Sequence, residues 1–206
     1  MSIEDWLRYH QEKLHFKQSY RGLQMIKNPF DLIVYEEILW EVKPTIIIEI
    51  GTSQGGFTLW LRDRMKMIGA ENKIITVDLD SAGNNNLRES LSDRFISLVG
   101  DCNSPEIIEQ IKSNITPQDI VLVIEDSSHT YENTLKVLDN YKSIVTIDSY
   151  LIVEDGICDV LNLEIVPGPM KAVESWIVKN PNFEIDRGRE RYIMTYNPKG
   201  YLKRVS

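Results

Sequence analysis

Short apolar runs rich in β-branched residues recur along this chain, and a helical segment follows nearly every one of them. The run TIIIEI at 45–50 precedes a glycine-containing turn and a helical stretch at 55–68. Buried parallel strands give near-continuous apolar runs, and parallel neighbours need a crossover connection that is usually a helix. The alternation therefore predicts an α/β domain with a doubly wound, mostly parallel sheet.

Four more strand-and-helix units follow the first one. Strands are predicted at 74–77, 95–99, 120–124 and 150–153, and helices at 84–91, 105–113, 131–141 and 169–178. Two further short strands, at 183–186 and 192–196, have only the charged turn RGRER between them. They predict an antiparallel C-terminal hairpin at the edge of the sheet.

The residues before the first strand form a separate unit in this prediction. Helices at 3–17 and 31–42 flank a loop with Gly and Pro at 19–30, which is a candidate lid. We therefore divide the chain into an N-terminal helical appendage with this lid at 1–42 and the doubly wound domain at 43–206. His10 and His15 lie on a polar helix and are predicted to be solvated.

Composition and charge narrow the partners that such a protein can have. The 206 residues are 42% hydrophobic and 26% charged, as in folded globular proteins. A net charge of -8 disfavours binding to nucleic acid or to anionic lipid. Two cysteines without metal-binding spacing, and an N-terminus without an apolar leader or span, predict a cytoplasmic protein. Apolar side chains such as Trp6, Leu7 and Trp40 leave a homo-oligomer open.

Acidic and glycine residues follow three successive predicted strands. The first strand runs through Glu49 into a turn with Gly51 and Ser53, the second ends at Asp78, and the third is followed by Asp101. Ligands of open α/β sheets bind at these strand ends. Glu49 replaces the first glycine of a dinucleotide fingerprint, so the turn suits a cationic ligand better than a pyrophosphate. The set predicts an S-adenosylmethionine site, although each residue alone also fits an ordinary turn or capping role.

Carboxylates also gather after the fourth and fifth predicted strands. Asp126 follows the fourth strand, and Glu154 and Asp155 follow the fifth. Such a cluster of hard oxygen ligands suits Mg²⁺, but solvated acids at loop starts would give the same pattern. His129 opens the next predicted helix, where its imidazole could cap that helix or take a proton from a substrate hydroxyl.

Four segments of the chain resemble one protein family. They are IIIEIGTSQGG, VIEDSSHTYENTL, SYLIVEDG and GPMKAVESWIVKNPNFEIDRGRERYIMTYNPKGYLKRV. Together they resemble the cephalosporin hydroxylase family, which includes rhamnosyl O-methyltransferase-like proteins and has a Rossmann-like methyltransferase fold. The resemblance spans roughly residues 30 to 206, and its C-terminal segment is the most specific.

The resemblance implies a class I methyltransferase with two ligands. It places S-adenosylmethionine at Glu49, Gly51, Ser53, Asp78 and Asp101, and Mg²⁺ at Asp126, Glu154 and Asp155. The fourth-strand motif more often reads LDSDHT in the family. Here Ser128 replaces its second acid, while the acid at Asp126 and the histidine at His129 are retained.

The residues and the resemblance together predict an S-adenosylmethionine-dependent, Mg²⁺-assisted O-methyltransferase. Its acceptor would be a hydroxyl of a sugar in a polysaccharide or glycosylated metabolite, and Asp126 or His129 would accept the proton. A non-catalytic donor- or sugar-binding protein of the same fold is the alternative. Metal-dependent hydroxylation is disfavoured, because it usually needs two histidines and one carboxylate and only His129 lies near the acids.

Overall fold

Strands and helices alternate along the chain in a computed structural model that describes residues 1–69, 72–87, 94–163 and 165–206. The elements are α1 (Ile3–Lys13), β1 (Ser19–Tyr20), β2 (Leu23–Gln24), α2 (Pro29–Val42), β3 (Ile46–Ile50), α3 (Gly56–Met67), β4 (Lys73–Asp78), α4 (Ala82–Leu87), β5 (Phe95–Val99), α5 (Pro105–Lys112), β6 (Val121–Glu125), α6 (Tyr131–Tyr141), β7 (Tyr150–Val153), α7 (Ile157–Leu161), α8 (Pro169–Ile177), β8 (Phe183–Ile185) and β9 (Tyr201–Arg204). The end of the predicted helix at 84–91 lies outside the described residues.

The main sheet has seven strands in the order β5-β4-β3-β6-β7-β9-β8. Strands β3 to β7 are parallel, and β9 is antiparallel to both of its neighbours. The winding reverses between β3 and β6, which pair directly, so a crevice opens there at the carboxyl ends of the strands. The predicted fold class, a Rossmann-like, mostly parallel sheet with an antiparallel C-terminal hairpin, is confirmed.

Side-chain alternation along β3 explains why helices cover both faces of the sheet. Ile46, Ile48 and Ile50 pack on one face in a cluster that includes apolar side chains of α5, α6 and α8. Ile47 packs on the other face, with side chains of α2 and α3. Because successive residues of a strand point to opposite faces, a strand covered on both sides is apolar throughout, apart from Glu49.

The C-terminal hairpin differs from the prediction in its second strand. β8 lies where it is predicted, but its partner is β9, not 192–196. Residues 192–196 form no strand, and two of them bind α2 instead. The Asp31 carboxylate accepts hydrogen bonds from Thr195 Oγ1 and from the Tyr196 backbone N–H at 2.8 Å. β9 consequently lies inside the sheet, between β7 and β8.

The N-terminal residues pack closely on the domain. The predicted loop at 19–30 contains the β1–β2 hairpin, and α1 packs through Leu7 against α7 and Tyr196. The prediction that His10 and His15 are solvated is wrong, because this packing leaves them 3% and 4% exposed. Division of the chain at residue 42 stays a prediction. In the described residues no helix combines the length and apolarity needed to cross a bilayer.

Candidate functional site

A cavity of about 970 Å³ lies over the carboxyl ends of the parallel strands. Its floor is formed by the residues that follow β3, β4, β5, β6 and β7. Residues 11, 15–16 and 24–27 line it from the N-terminal side. The crevice predicted by the strand order is therefore a deep pocket, large enough for a nucleoside and a second small molecule.

Gly51 lets the turn after β3 touch the turn after β6. Its φ is +104°, and a Cβ at this position would lie 2.0 Å from the Asp126 carbonyl oxygen. The backbone N–H of Asp126 in turn donates to the Ile50 carbonyl at 2.8 Å. Only glycine allows both the backbone conformation and the close approach at this point.

Asp78 holds the same turn from the neighbouring strand. Its Oδ2 accepts the backbone N–H groups of Thr52 at 2.9 Å and Ser53 at 2.8 Å. Ser53 has a positive φ of 49°, a conformation that costs energy in a non-glycine residue. Asp101, at the end of β5, accepts the Asn103 backbone N–H at 2.8 Å. Four of the five predicted donor-site residues, Gly51, Ser53, Asp78 and Asp101, thus line one cavity.

Glu49, the fifth predicted donor-site residue, does not line that cavity. It is 1% exposed, and its Oε2 accepts hydrogen bonds from the hydroxyls of Thr58 on α3 and Thr76 on β4. The alternation of β3 explains the difference, since Glu49 shares a face with Ile47 beneath α3. Burial raises its pKa to about 7. Glu49 therefore links β3 to α3 and β4 beneath the glycine turn.

Asp126, His129 and Asp155 converge on the wall of the cavity. One potential ligand atom from each lies within 4.8 Å of the others. Nε2 of His129 is 3.4 Å from Asp155 Oδ2 and 4.0 Å from Asp126 Oδ1. His129 and Asp155 have positive φ values of 54° and 55°. Two non-glycine residues held in this sparsely populated region, side by side, are typical of a functional site.

Glu154, which is predicted as a metal ligand, is not brought to this cluster. It is 4% exposed and accepts hydrogen bonds from the Tyr35 hydroxyl and from Lys27 Nζ at 2.6 Å. Consecutive residues at the end of β7 point in different directions, so Asp155 faces the cavity while Glu154 turns inward. His129 instead lies beside the two cavity acids, Asp126 and Asp155.

Lys27 is the site residue that the sequence analysis misses. Its side chain is 3% exposed and donates to Asp126 Oδ2 and Glu154 Oε2, and its Nζ lies 4.5 Å from the centroid of the Phe57 ring. Burial alone would lower the pKa of Lys27, but the carboxylates of Asp126 and Glu154 outweigh it and raise this pKa. Its only sequence signal is a charged residue directly after the apolar Met25 and Ile26 in the predicted lid.

The electrostatics of the cluster depend on burial and on two cationic groups. Burial raises the pKa of Asp126 and of Asp155, and the neighbouring Lys27 and His129 oppose that rise. Burial by itself would lower the pKa of His129, but the carboxylates of Asp155, Asp126 and Glu125 outweigh it and raise this pKa. The cavity wall is thus an acidic site. The Lys27 ammonium balances part of its negative charge, and the His129 imidazole lies beside the two acids.

Comparison with known proteins gives the site a context. A sequence model of the rhamnosyl O-methyltransferase/CmcI family matches residues 12–205. The rhamnosyl O-methyltransferase of Mycobacterium tuberculosis (strain ATCC 25618 / H37Rv) is 29% identical over 202 residues, which are 91% of this chain and 78% of that protein. That of Mycobacterium leprae (strain TN) is 28% identical over 194 residues, 90% and 82% of the two chains.

Solved structures show the same fold. A structure of CmcI with Mg and SAM superposes with a TM-score of 0.70 at 23% identity, covering 93% of this chain and 78% of that one. The resemblance seen in the sequence is therefore confirmed by a family match over nearly the whole chain. The chain belongs to the rhamnosyl O-methyltransferase/CmcI family.

Proposed function

We propose that this member of an O-methyltransferase family transfers the methyl group of S-adenosylmethionine to a sugar hydroxyl, with a divalent cation such as Mg²⁺ at Asp126 and Asp155, beside His129. The main support for this proposal is that this cluster and the glycine turn after β3 line one cavity. The names of the mycobacterial relatives support a sugar acceptor, and the CmcI structure with Mg and SAM supports this pair of ligands.

The donor would lie on the β3–β4–β5 side of the cavity. Within the part of the chain that the structure describes, Asp78 Oδ1 accepts one long hydrogen bond, from the Asp80 backbone N–H at 3.4 Å, so it can accept hydrogen bonds from ribose hydroxyls. Leu79 lines the cavity and its side chain is 77% exposed, which offers an apolar surface to the adenine. The backbone of the glycine turn and Asp101 would complete the site.

The residues present fit a divalent cation. Two carboxylates converge on the cavity although burial disfavours their charge, and their oxygens are the ligands that Mg²⁺ prefers. The imidazole of His129 is a third potential donor, one that also suits transition metals. We assign the cation to Asp126 and Asp155, and we assign Glu154 the role of holding Lys27 beneath Asp126.

His129 is the residue we propose as the proton acceptor. Bound S-adenosylmethionine supplies a methyl group on a sulfonium, and a bound cation lowers the pKa of a hydroxyl that it contacts. The acceptor hydroxyl must lose its proton as its oxygen gains the methyl group, and the neutral form of the His129 imidazole can accept it. A bound cation would offset the charge of Asp126 and Asp155 and so favour that neutral form. Asp155, 3.4 Å from His129 Nε2, would stabilise the resulting imidazolium, whereas Asp126 Oδ2 already accepts a hydrogen bond from Lys27.

A transfer assay tests this function. Methyl-labelled S-adenosylmethionine is incubated with methyl α-L-rhamnopyranoside and with a panel of other hydroxylated compounds, in Mg²⁺ or in chelator. We expect methylated product only with the metal. Equal product in chelator would contradict the metal role, and donor binding without product from any acceptor would favour a non-catalytic binding protein.

Two variants separate the proposed roles. Asp155→Ala should lose both activity and Mn²⁺ binding, measured by calorimetry. His129→Gln should lose at least about 100-fold in activity while it still binds the metal. Loss of metal binding in His129→Gln would make His129 a ligand instead of the base. Asp148→Ala is a matched control, because Asp148 also has a positive φ of 67° but lies at the opposite end of β7.

A further inference from the structure

The cavity continues past the metal cluster to an N-terminal segment, which we define as residues 11–16. Gln11, His15 and Phe16 line the cavity there. The segment comprises the end of α1 and the turn after it, and α1 packs through Leu7 against Ile157 and Leu161 of α7. The His15 ring contacts Tyr196, which packs with α7, whereas the Phe16 carbonyl accepts a hydrogen bond from Gln24 Nε2 on β2. The segment therefore extends from the α7 side of the cavity to the β1–β2 hairpin.

Two polar atoms of this segment are buried without a partner. Oε1 of Gln11 and Nδ1 of His15 make no hydrogen bond to any described residue. A buried polar atom left unsatisfied costs about 1 to 3 kcal/mol, so a side-chain rotation that brings either atom to the cavity surface and onto a ligand hydroxyl would recover that energy. The His15 side chain is itself almost wholly buried, at 4% exposure.

His10, the residue before this segment, is a histidine with a structural role and serves as a comparison for His15. Its Nδ1 is 2.6 Å from the Tyr196 hydroxyl, and its Nε2 is 3.2 Å from Gln18 Nε2. It is as buried as His15, but it does not line the cavity. The two histidines therefore differ in their partners and in whether they face the ligand space.

The chemistry of the segment suits a neutral, hydroxylated ring. Burial, with smaller contributions from His10, Lys27 and His129, lowers the pKa of His15 to about 4, so the imidazole is neutral and offers one donor and one acceptor. A neutral imidazole and an amide can pair with hydroxyls, whereas they give an anion no countercharge. The Phe16 ring is 61% exposed and packs edge-on against His15, with centroids 5.2 Å apart. It presents a flat apolar surface at the cavity mouth.

We propose that Gln11, His15 and Phe16 form the acceptor subsite for a neutral pyranoside. Phe16 stacks on the apolar face of the sugar ring, and His15 and Gln11 hydrogen-bond hydroxyls next to the one that is methylated. The subsite rests on the proposed methyl transfer to a sugar, and it makes the N-terminal segment a determinant of acceptor specificity. A charged or phosphorylated acceptor group would find no countercharge on Gln11, His15 or Phe16, and Lys27 nearby is already paired with Asp126 and Glu154.

Binding measurements test the subsite without turnover. Calorimetry follows methyl α-L-rhamnopyranoside binding to the full-length protein saturated with S-adenosylhomocysteine. His15→Phe should weaken sugar binding at least about tenfold, which corresponds to about 1.4 kcal/mol for one lost hydrogen bond. It should leave S-adenosylhomocysteine affinity and melting temperature unchanged, because it removes a polar atom that has no hydrogen-bond partner among the described residues. Gln11→Leu should behave in the same way, and His15→Asn should restore part of the affinity.

His10→Phe serves as the matched control. It should lower the melting temperature by breaking the bond to Tyr196, and the folded fraction should keep its sugar affinity. Unchanged sugar affinity in His15→Phe would overturn the subsite, as would a lowered melting temperature with loss of both ligands. No binding of the rhamnoside to the wild type would also overturn it, and transfer to other acceptors in the panel would then show whether the proposed function survives.

Discussion

Lys27 supplies a positive charge to the acidic wall of the cavity. It lies between β2 and α2, outside the main sheet. Its ammonium contacts Asp126 and Glu154, and the Tyr35 hydroxyl donates to the other oxygen of Glu154. A buried carboxylate pair without a cation would repel itself in a medium of low polarity. Lys27 therefore has a structural effect that should be measurable apart from catalysis.

Replacing Lys27 with Met should destabilise the protein strongly. Removing one partner of a buried ion pair typically costs about 3 to 5 kcal/mol, because the remaining charges stay buried. Urea unfolding at pH 7 measures the change. The double variant Lys27→Met/Glu154→Gln should recover part of the loss, since it also removes one uncompensated carboxylate. Equal stability of the wild type and Lys27→Met would contradict the assigned charge arrangement.

Glu49 should give the protein a pH-dependent stability. Burial raises its pKa from 4.5 to about 7 in the folded state, so the folded state binds more protons than the unfolded state between these values. The free energy of unfolding then falls as pH rises from about 4.5 to about 7. Relative to Glu49→Gln, the wild type should lose about 3 kcal/mol over this range.

Urea titrations at several pH values measure this difference. Glu109→Gln, on the exposed face of α5, is the control, and its stability curve should run parallel to that of the wild type. A parallel curve for Glu49→Gln as well would mean that Glu49 does not carry the shifted proton.

Contact between the β1–β2 hairpin and α3 positions the N-terminal side of the cavity. A Cβ at Gly56, the first residue of α3, would lie 2.2 Å from the Gln24 carbonyl oxygen. Residues 25–27 follow β2 directly, so this close approach also determines where Lys27 enters the site. The glycine is needed for space, since its φ is not positive.

Gly56→Ala should therefore move the hairpin and weaken the site. Helix propensity alone would favour alanine by up to about 1 kcal/mol, but overpacking against a backbone carbonyl costs about 1 to 3 kcal/mol. We expect a lower melting temperature together with weaker Mn²⁺ binding. Gly22→Ala is the control, because a Cβ there meets nothing within 4 Å, although its φ of +87° carries a local cost. Normal metal affinity in Gly56→Ala would separate the hairpin from the site.

The sequence predicts the parallel part of the sheet well because burial on both faces makes each strand a continuous apolar run. It predicts the hairpin partner wrongly because the segment 192–196 is also rich in aromatic and β-branched residues, which are typical of strands. The deciding contact is Asp31, more than 160 residues away, which binds Thr195 and Tyr196. No local pattern reports a contact of that kind.

The same limit applies to the candidate site. Strand ends predict which loops border the cavity, since parallel strands end at one edge of the sheet. They do not predict which of two adjacent acids, Glu154 or Asp155, faces the cavity. They also do not show that a lysine from the N-terminal segment fills the space beneath Asp126.

The last strand of the chain, β9, lies inside the sheet and connects several parts of the molecule. It pairs with β7 on one side and β8 on the other, and its Tyr201 and Leu202 are fully buried. The Tyr201 hydroxyl also donates to Asp31 on α2 at 2.8 Å. One short strand thus joins the parallel sheet, the last hairpin and the N-terminal helix layer.

Removing residues 201–206 should abolish cooperative folding. The truncation strips β7 of a neighbour and detaches β8, so circular dichroism should show no sharp thermal transition. Removing only residues 205–206 should leave the transition nearly unchanged, because both are exposed. A cooperative melt in the longer truncation would show that β7 can end the sheet without β9.

Backbone contact between the Gly51 turn and the Asp126 carbonyl has a practical consequence for engineering. Any side chain introduced at Gly51 would push on the loop that carries Asp126, so the proposed donor and metal sites would be disturbed together. Asp101 borders the same pocket from beyond the end of β5, an edge strand that pairs with β4 and not with β3. Acceptance of bulkier adenosine analogues is therefore best sought there.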